Sequence, residues 1–188
     1  PPGRAGGAPG PRGGLALHAG CKIIPVKGQN KVGLIVGLSG TGMTTTTFTK
    51  QNNSSPVQDD FCGLMPGGKV YATENGCFAK TFGLNPNDEP TIYAACASKL
   101  AYLENVSLKN DGQVDYFDTS YTQNGRAVIR MEDIAGAADA REVKTVDFLL
   151  NLTRNENNIP AVVKPRGPHP SAYLRVGRTK GTSAGGAA

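Results

Sequence analysis

The residues with the clearest capacity for chemistry are Gly37-Leu38-Ser39-Gly40-Thr41-Gly42-Met43-Thr44. Their spacing follows the phosphate-loop pattern G-x-x-x-x-G-K-[ST] at every position but one, where Met43 stands in place of the lysine. Glycines so spaced let successive backbone N–H groups curl around phosphate oxygens, and a helix start adds partial positive charge. The Thr44 hydroxyl suits a magnesium ligand. A lysine at position 43 would neutralise β- and γ-phosphate charge, and its loss costs about 1.5–3 kcal/mol of binding. The effect on a transition state is larger. The loop therefore predicts binding of a nucleoside triphosphate, with catalytic transfer the property most affected by Met43.

Two further groups could act beside that loop. Asp59-Asp60 lies fifteen residues beyond Thr44. Adjacent carboxylates there could reach two metals, or a metal and its water. On its own such a pair is usually a solvated turn; after a phosphate loop it becomes a candidate metal site. His18, in Leu15-Ala16-Leu17-His18-Ala19-Gly20, is a lone histidine of the kind that is more often structural than ligating.

Positioning these groups needs a strand, a turn and a helix. Val32 to Val36 is an apolar run ending at Gly37, which predicts a buried strand feeding the loop. Thr44 to Lys50 then starts a helix. Four consecutive threonines are poor helix formers because of their β-branching, so tertiary contacts or bound phosphate must hold that turn. Lys69 to Thr81 predicts short antiparallel strands around the turn Glu74-Asn75-Gly76. Pro90 to Ala101 predicts a helix, with Pro early and Asp88 and Glu89 complementing the dipole. Leu103–Leu108 and Gln113–Phe117 flank Asn110-Asp111-Gly112, a hairpin signal. Val146–Leu152 predicts another buried strand, and the Pro-rich run after Pro160 forms neither helix nor inner strand.

Composition sets the outer limits. The 188 residues suffice for one domain with a hydrophobic core. All 15 acidic residues lie between Asp59 and Glu156, so both ends are purely basic and the net charge of +5 describes tails rather than a basic domain. Neither tail carries interleaved aromatics, which argues against nucleic acid as a partner. The 4 cysteines lack C-x-x-C spacing, which argues against a structural zinc site or a dithiol redox centre and predicts buried or half-buried free thiols. No apolar run approaches membrane-spanning length and the first residues are not a signal peptide, so the expected setting is cytoplasmic. The expected division is a low-complexity segment at 1–14, a nucleotide- and metal-binding domain at 15–163, and a basic Pro/Gly-rich tail at 164–188.

Six blocks in order carry a family resemblance: Leu17-His18-Ala19, Val36 to Gly42, Asp59-Asp60, Glu74 to Thr81, Leu103-Glu104-Asn105-Val106, and Thr122-Gln123-Asn124-Gly125-Arg126. They resemble ATP-dependent phosphoenolpyruvate carboxykinase. The similarity runs from about Leu15 to Val163, weakens through the Pro-rich stretch, and returns at Lys180 to Gly186. It implies an α/β fold, a P-loop-containing mixed sheet with flanking helices. It also implies conversion of oxaloacetate and ATP to phosphoenolpyruvate, ADP and carbon dioxide, by decarboxylation to an enolate and phosphoryl transfer, with Mn2+ at the substrate and Mg2+ with the nucleotide.

By the same resemblance, His18 and Asp60 are expected as manganese ligands and Asp59 near the magnesium shell. Gly37, Leu38, Ser39, Gly40, Thr41, Gly42, Met43, Thr44 and Thr45 would wrap the triphosphate, with Thr44 on magnesium. Glu104 would contact the nucleotide, and Arg126 would bridge the γ-phosphate and the substrate. Positioned cations of that kind stabilise the charge on a moving phosphoryl group. The family's upstream substrate-binding residues and its downstream adenine-binding segment have no counterpart, so the chain is expected to be an internal part of a longer enzyme with little turnover. A catalytically inactive ATP-binding module is the alternative that Met43 supports.

Overall fold

The computed structural model describes residues 13–38, 40–153 and 161–167. Its first element is the long strand β1 (Leu15–Val26), joined to β2 (Gln29–Gly37) by the two-residue turn Lys27-Gly28. Both turn residues have positive φ, 49° and 78°. That conformation matches the right-handed twist of the flanking strands, and Lys27 is not a residue that signals it. The helix α1 (Met43–Phe48) follows, then β3 (Ser55–Gln58) and β4 (Phe61–Leu64), which both run antiparallel to β1. With β5 (Val70–Ala72) and the later β11 (Phe148–Leu152) they make a six-stranded sheet. Its order is β11-β2-β1-β4-β5, with β3 also on β1. β11 is its parallel member, on β2.

A second sheet of three strands has β10 (Arg126–Arg130) between β6 (Gly76–Lys80) and β7 (Tyr102–Glu104). The helix α2 (Pro90–Cys96) packs on it, and β8 (Ser107–Leu108) pairs with β9 (Val114–Asp115) as the small hairpin expected around Gly112. The result is a mixed α/β chain with far more strand than helix. Among the described residues the two α-helices have 6 and 7 residues, so the expected flanking helices are short. The helix anticipated to Ala101 stops at Cys96, and the strands on either side of Glu74-Asn75-Gly76 do not pair with each other. β5 joins the first sheet and β6 the second, so that turn is a crossing between sheets. Lys164 to Gly167 are irregular, as expected, whereas residues 1–12 and 168–188 lie outside the described residues.

Period-two alternation explains how β1 serves the site. Leu17, Ala19, Cys21 and Ile23 enter one core cluster with Leu34, Val36, Val57 and Cys62. Burying such a side chain contributes about 1.5–3 kcal/mol for the larger residues. The intervening His18, Gly20 and Lys22 face the other side, where α1 lies. Gly20 is required there, because a Cβ would collide with the Thr47 hydroxyl. Phe48, at the end of α1, enters the second cluster with Cys77, Ala79, Ala127 and Ile129. The short helix is thus wedged between the two cores.

Candidate functional site

The strand β2 delivers the chain into the glycine loop. Thr41 closes the turn on itself: its N–H and its hydroxyl donate to the Leu38 carbonyl at 3.1 and 2.7 Å. Gly40 and Gly42 have φ of 77° and 85°, a region that side chains avoid. A Cβ on Gly37 would collide with the Thr41 hydroxyl, so the strand's last residue must also be small. Ser39 lies outside the described residues. Met43 is the first residue of α1 and is only 9% exposed.

The threonine run has a physical explanation in its partners. Thr44 Oγ1 donates to Asp59 Oδ2 at 2.8 Å, and Thr45 Oγ1 to Glu89 Oε1 at 2.5 Å. Thr47 Oγ1 donates back to the Met43 carbonyl at 2.9 Å. The Thr46 carbonyl accepts from Lys22 Nζ at 2.9 Å, and Lys22 also donates to the Thr49 carbonyl. Lys22 is 6% exposed, and burial holds its ammonium below the ordinary value. A buried lysine thus satisfies the carbonyls that end so short a helix. The turn is held by tertiary hydrogen bonds in place of propensity, one of the two causes expected of it.

Asp59 and Asp60 occupy the bend between β3 and β4, where the ladder to β1 is interrupted opposite Ala19 and Gly20. Their side chains go to different places. Asp60 Oδ1 lies 2.7 Å from His18 Nδ1 in a half-exposed pair. Asp59 is 4% exposed. Its Oδ2 accepts from Thr44 and, at 3.7 Å, from the Cys77 thiol, while its Oδ1 is buried with no hydrogen-bond partner. Burial pushes the Asp59 carboxyl up to about 6; the Thr44 hydrogen bond opposes the shift and the Asp60 charge adds to it. An orphaned buried carboxylate oxygen costs on the order of 1–3 kcal/mol, so a cation is the ligand that fits it. Thr44 and Asp59 offer hard oxygen donors of the kind divalent cations take, and His18 with Asp60 offers an imidazole and a carboxylate. Among the described residues no group of three or more His, Cys, Asp or Glu converges, so each pair supplies only part of a coordination shell.

Arg126 and Glu104 lie in the second sheet. They are cross-strand neighbours on β10 and β7, and Lys80 of β6 is the neighbour of Arg126 on its other side. Arg126 is 8% exposed, donates through Nη1 to the Gly125 carbonyl at 3.2 Å, and has its guanidinium 5.8 Å from the centre of the Phe78 ring. The link between the two halves is β6: Cys77 touches Asp59, and Lys80, three residues or roughly 10 Å further along the strand, stands beside Arg126. The structure joins Thr44 with Asp59, His18 with Asp60, and Arg126 with Glu104 as pairs.

Residue types alone did not single out Lys22, Lys80, Glu89 or Phe78. A lysine inside the apolar run Cys21-Lys22-Ile23-Ile24 was the available signal for the first. Alternation within Gly76 to Lys80, which puts Phe78 and Lys80 on one face, was the signal for two more. By sequence Glu89 is a dipole partner of α2, yet it also accepts from Thr45. The 4 cysteines are all free and buried, as their spacing predicted.

A strand, a glycine loop and a short helix, with Asp59 against Thr44, make up the candidate site of a mixed α/β chain. Comparison with known proteins gives the family. The family model described as phosphoenolpyruvate carboxykinase matches residues 8–184, so the chain belongs to the ATP-dependent phosphoenolpyruvate carboxykinase family. The match is broader than the motif blocks indicated, taking in most of the Pro-rich stretch. Phosphoenolpyruvate carboxykinase (ATP) of Aeropyrum pernix is 33% identical over 181 residues, covering 91% of this chain and 36% of that protein. The Alkaliphilus oremlandii enzyme of the same name is 41% identical over 153 residues, covering 80% and 28%. That of Campylobacter jejuni is 41% identical over 120 residues, covering 64% and 22%. The chain thus spans little more than a third, at most, of the curated relatives it matches. Among the described residues no helix is long and apolar enough to cross a membrane.

Proposed function

We propose that this chain is the triphosphate- and metal-binding part of an ATP-dependent carboxykinase that converts oxaloacetate and ATP to phosphoenolpyruvate, ADP and carbon dioxide. The fitting setting is cytoplasmic gluconeogenesis. The observation that carries the reading is the Thr44–Asp59 hydrogen bond at 2.8 Å beside an unpartnered Asp59 Oδ1. It sets the loop's hydroxyl and a buried carboxylate at one point, where the phosphate end of a nucleotide would enter.

In the reaction the bond between oxaloacetate C3 and its departing carboxylate breaks, and the electron pair remains as an enolate. The enolate oxygen attacks the γ-phosphorus, and the bond to the β-phosphate oxygen breaks to release ADP. The residues of this chain have separable tasks. The loop from Gly37 to Thr45 holds the triphosphate, and Arg126 meets γ-phosphate and substrate oxygens, with Lys80 as a second positive charge in the next strand. Glu104 remains the proposed nucleotide contact, with Glu89 a second candidate because it bonds directly to the helix that follows the loop. His18 with Asp60 would hold Mn2+, and Thr44 with Asp59 would hold Mg2+. When bound, those cations supply positive charge to the phosphoryl and enolate oxygens.

Met43 supports a second reading, an ATP-binding module without catalysis, because position 43 brings no charge to the β- and γ-phosphates. Calorimetric titration of the 188-residue chain with Mg-ATP, beside a coupled assay with Mn2+ and oxaloacetate, bears on both readings, since binding is common to them and turnover would belong to the carboxykinase alone. Micromolar binding with no measurable turnover is the expected result. Ready turnover would overturn the proposed impairment by Met43. A flat titration would remove nucleotide binding from this chain under both readings.

A further inference from the structure

Phe78 is 51% exposed, in the middle of β6, on the face that strand alternation turns away from the core. Its strand neighbours Cys77 and Ala79 are buried in the second cluster, so Phe78 adds nothing to that core. Arg126 shows the converse: a cation that is almost wholly covered, at 8% exposure. Among the described residues no carboxylate lies within ion-pair distance of it, although Glu104 is its cross-strand neighbour. What faces the guanidinium is the Phe78 ring, 5.8 Å away, diagonally across the β6–β10 ladder.

The two kinds of partner differ chemically. A carboxylate would neutralise the arginine and use up its N–H donors in a bidentate pair. An aromatic face attracts the cation through the ring quadrupole and consumes none of them. Among the described residues the guanidinium makes one hydrogen bond, to the carbonyl of Gly125, the residue just before it, so the remaining donors stay available.

We propose that Phe78 is the positioning residue for Arg126: its ring fixes the guanidinium and leaves the N–H donors to an anion of the phosphate or carboxylate class. The ligand part rests on the reading of Arg126 given above; the positioning part does not. Phe78 has no bond to make with the substrate, and its role is exerted through Arg126.

Two measurements on the 188-residue chain keep these parts distinct. The first is the nitrogen-15 NMR signal of the Arg126 Nε–H, assigned by its disappearance in Arg126→Lys. It is expected to be sharp and ring-shifted in the parent and in Phe78→Tyr, and to lose both properties in Phe78→Leu. A signal unchanged by Phe78→Leu overturns the positioning role. The second is calorimetric affinity for inorganic pyrophosphate, expected to fall about two- to fivefold in Phe78→Leu and to recover in Phe78→Tyr. Affinity that drops in Arg126→Ala but not in Phe78→Leu also overturns the proposal. If Arg126→Ala leaves pyrophosphate binding unchanged, or the parent does not bind it, Arg126 is not the anion contact, and the ligand half of the proposal falls. The NMR signal still decides whether Phe78 orients the guanidinium.

Discussion

Met43 begins α1 at the position where the phosphate-loop pattern places a cation, and its side chain is nearly covered. Replacing it with lysine brings a charge to the triphosphate but puts an ammonium in a poorly solvated place when nothing is bound. Met43→Lys should therefore raise Mg-ATP affinity roughly ten- to hundredfold, the value of one charged hydrogen bond. The variant should also melt lower than the parent without nucleotide and gain more from it. Calorimetry and melting with and without Mg-ATP check both; equal affinities would show that the loop does not direct residue 43 at phosphate. Much of the candidate site's make-up at this scale was legible in the sequence, because glycine-loop spacing and adjacent aspartates are local patterns. What could not be read was division of labour. Asp59 and Asp60 are adjacent and chemically alike, yet one is buried on Thr44 and the other half-exposed on His18. Only the break in the ladder to β1, at the bend between β3 and β4, separates them.

At the scale of elements, Asp147 fastens the parallel strand β11 to β2. Its Oδ2 accepts the Val32 N–H at 2.8 Å and its Oδ1 meets Lys31 Nζ at 3.0 Å. The Val32 hydrogen bond, followed by Lys31, holds the Asp147 carboxyl below its ordinary value. A carboxyl lowered in this way favours the folded state above its unfolded pKa, and the contribution disappears as pH falls through the folded value. Asp147→Asn keeps a hydrogen-bond acceptor but removes the charge. The urea midpoint of the parent should exceed that of Asp147→Asn by a constant margin from pH 5 to 7, and the margin should close below about pH 4. A gap that does not narrow as the pH falls below 4 would mean that charge is not what fastens the strand. The elements themselves were partly legible: β2, the start of α1 and the hairpin at Gly112 follow from apolar runs and turn residues. The separation of β5 from β6 was not, because a three-residue turn signal is the same whether the strands pair with each other or with distant partners. Nor was α1's stability, which comes from Lys22, Asp59 and Glu89, remote in sequence.

For the whole molecule, the apolar run that ends in β11 has more hydrophobic character than its surroundings use. The sequence predicted a buried strand there. The structure gives the strand, but Phe148, Leu149 and Leu150 remain 39%, 38% and 37% exposed, and among the described residues no strand pairs with its outer edge. Parallel strands are ordinarily covered on both faces, and the matched relatives are nearly three times or more the length spanned here. The periodicity reports what a strand is suited to be covered by, not what covers it in a given chain. An edge that no described strand pairs with can serve as a template for pairing with another chain. The 188-residue chain is therefore expected to self-associate through β11, its mean mass in sedimentation velocity rising above 19.6 kDa as concentration increases. Leu149→Glu, which adds a charge to the exposed strand without touching Asp147, should hold it near the monomer mass. A parent chain that stays monomeric up to its solubility limit would show that this edge is not available for pairing, and equal association in Leu149→Glu would place the contact elsewhere.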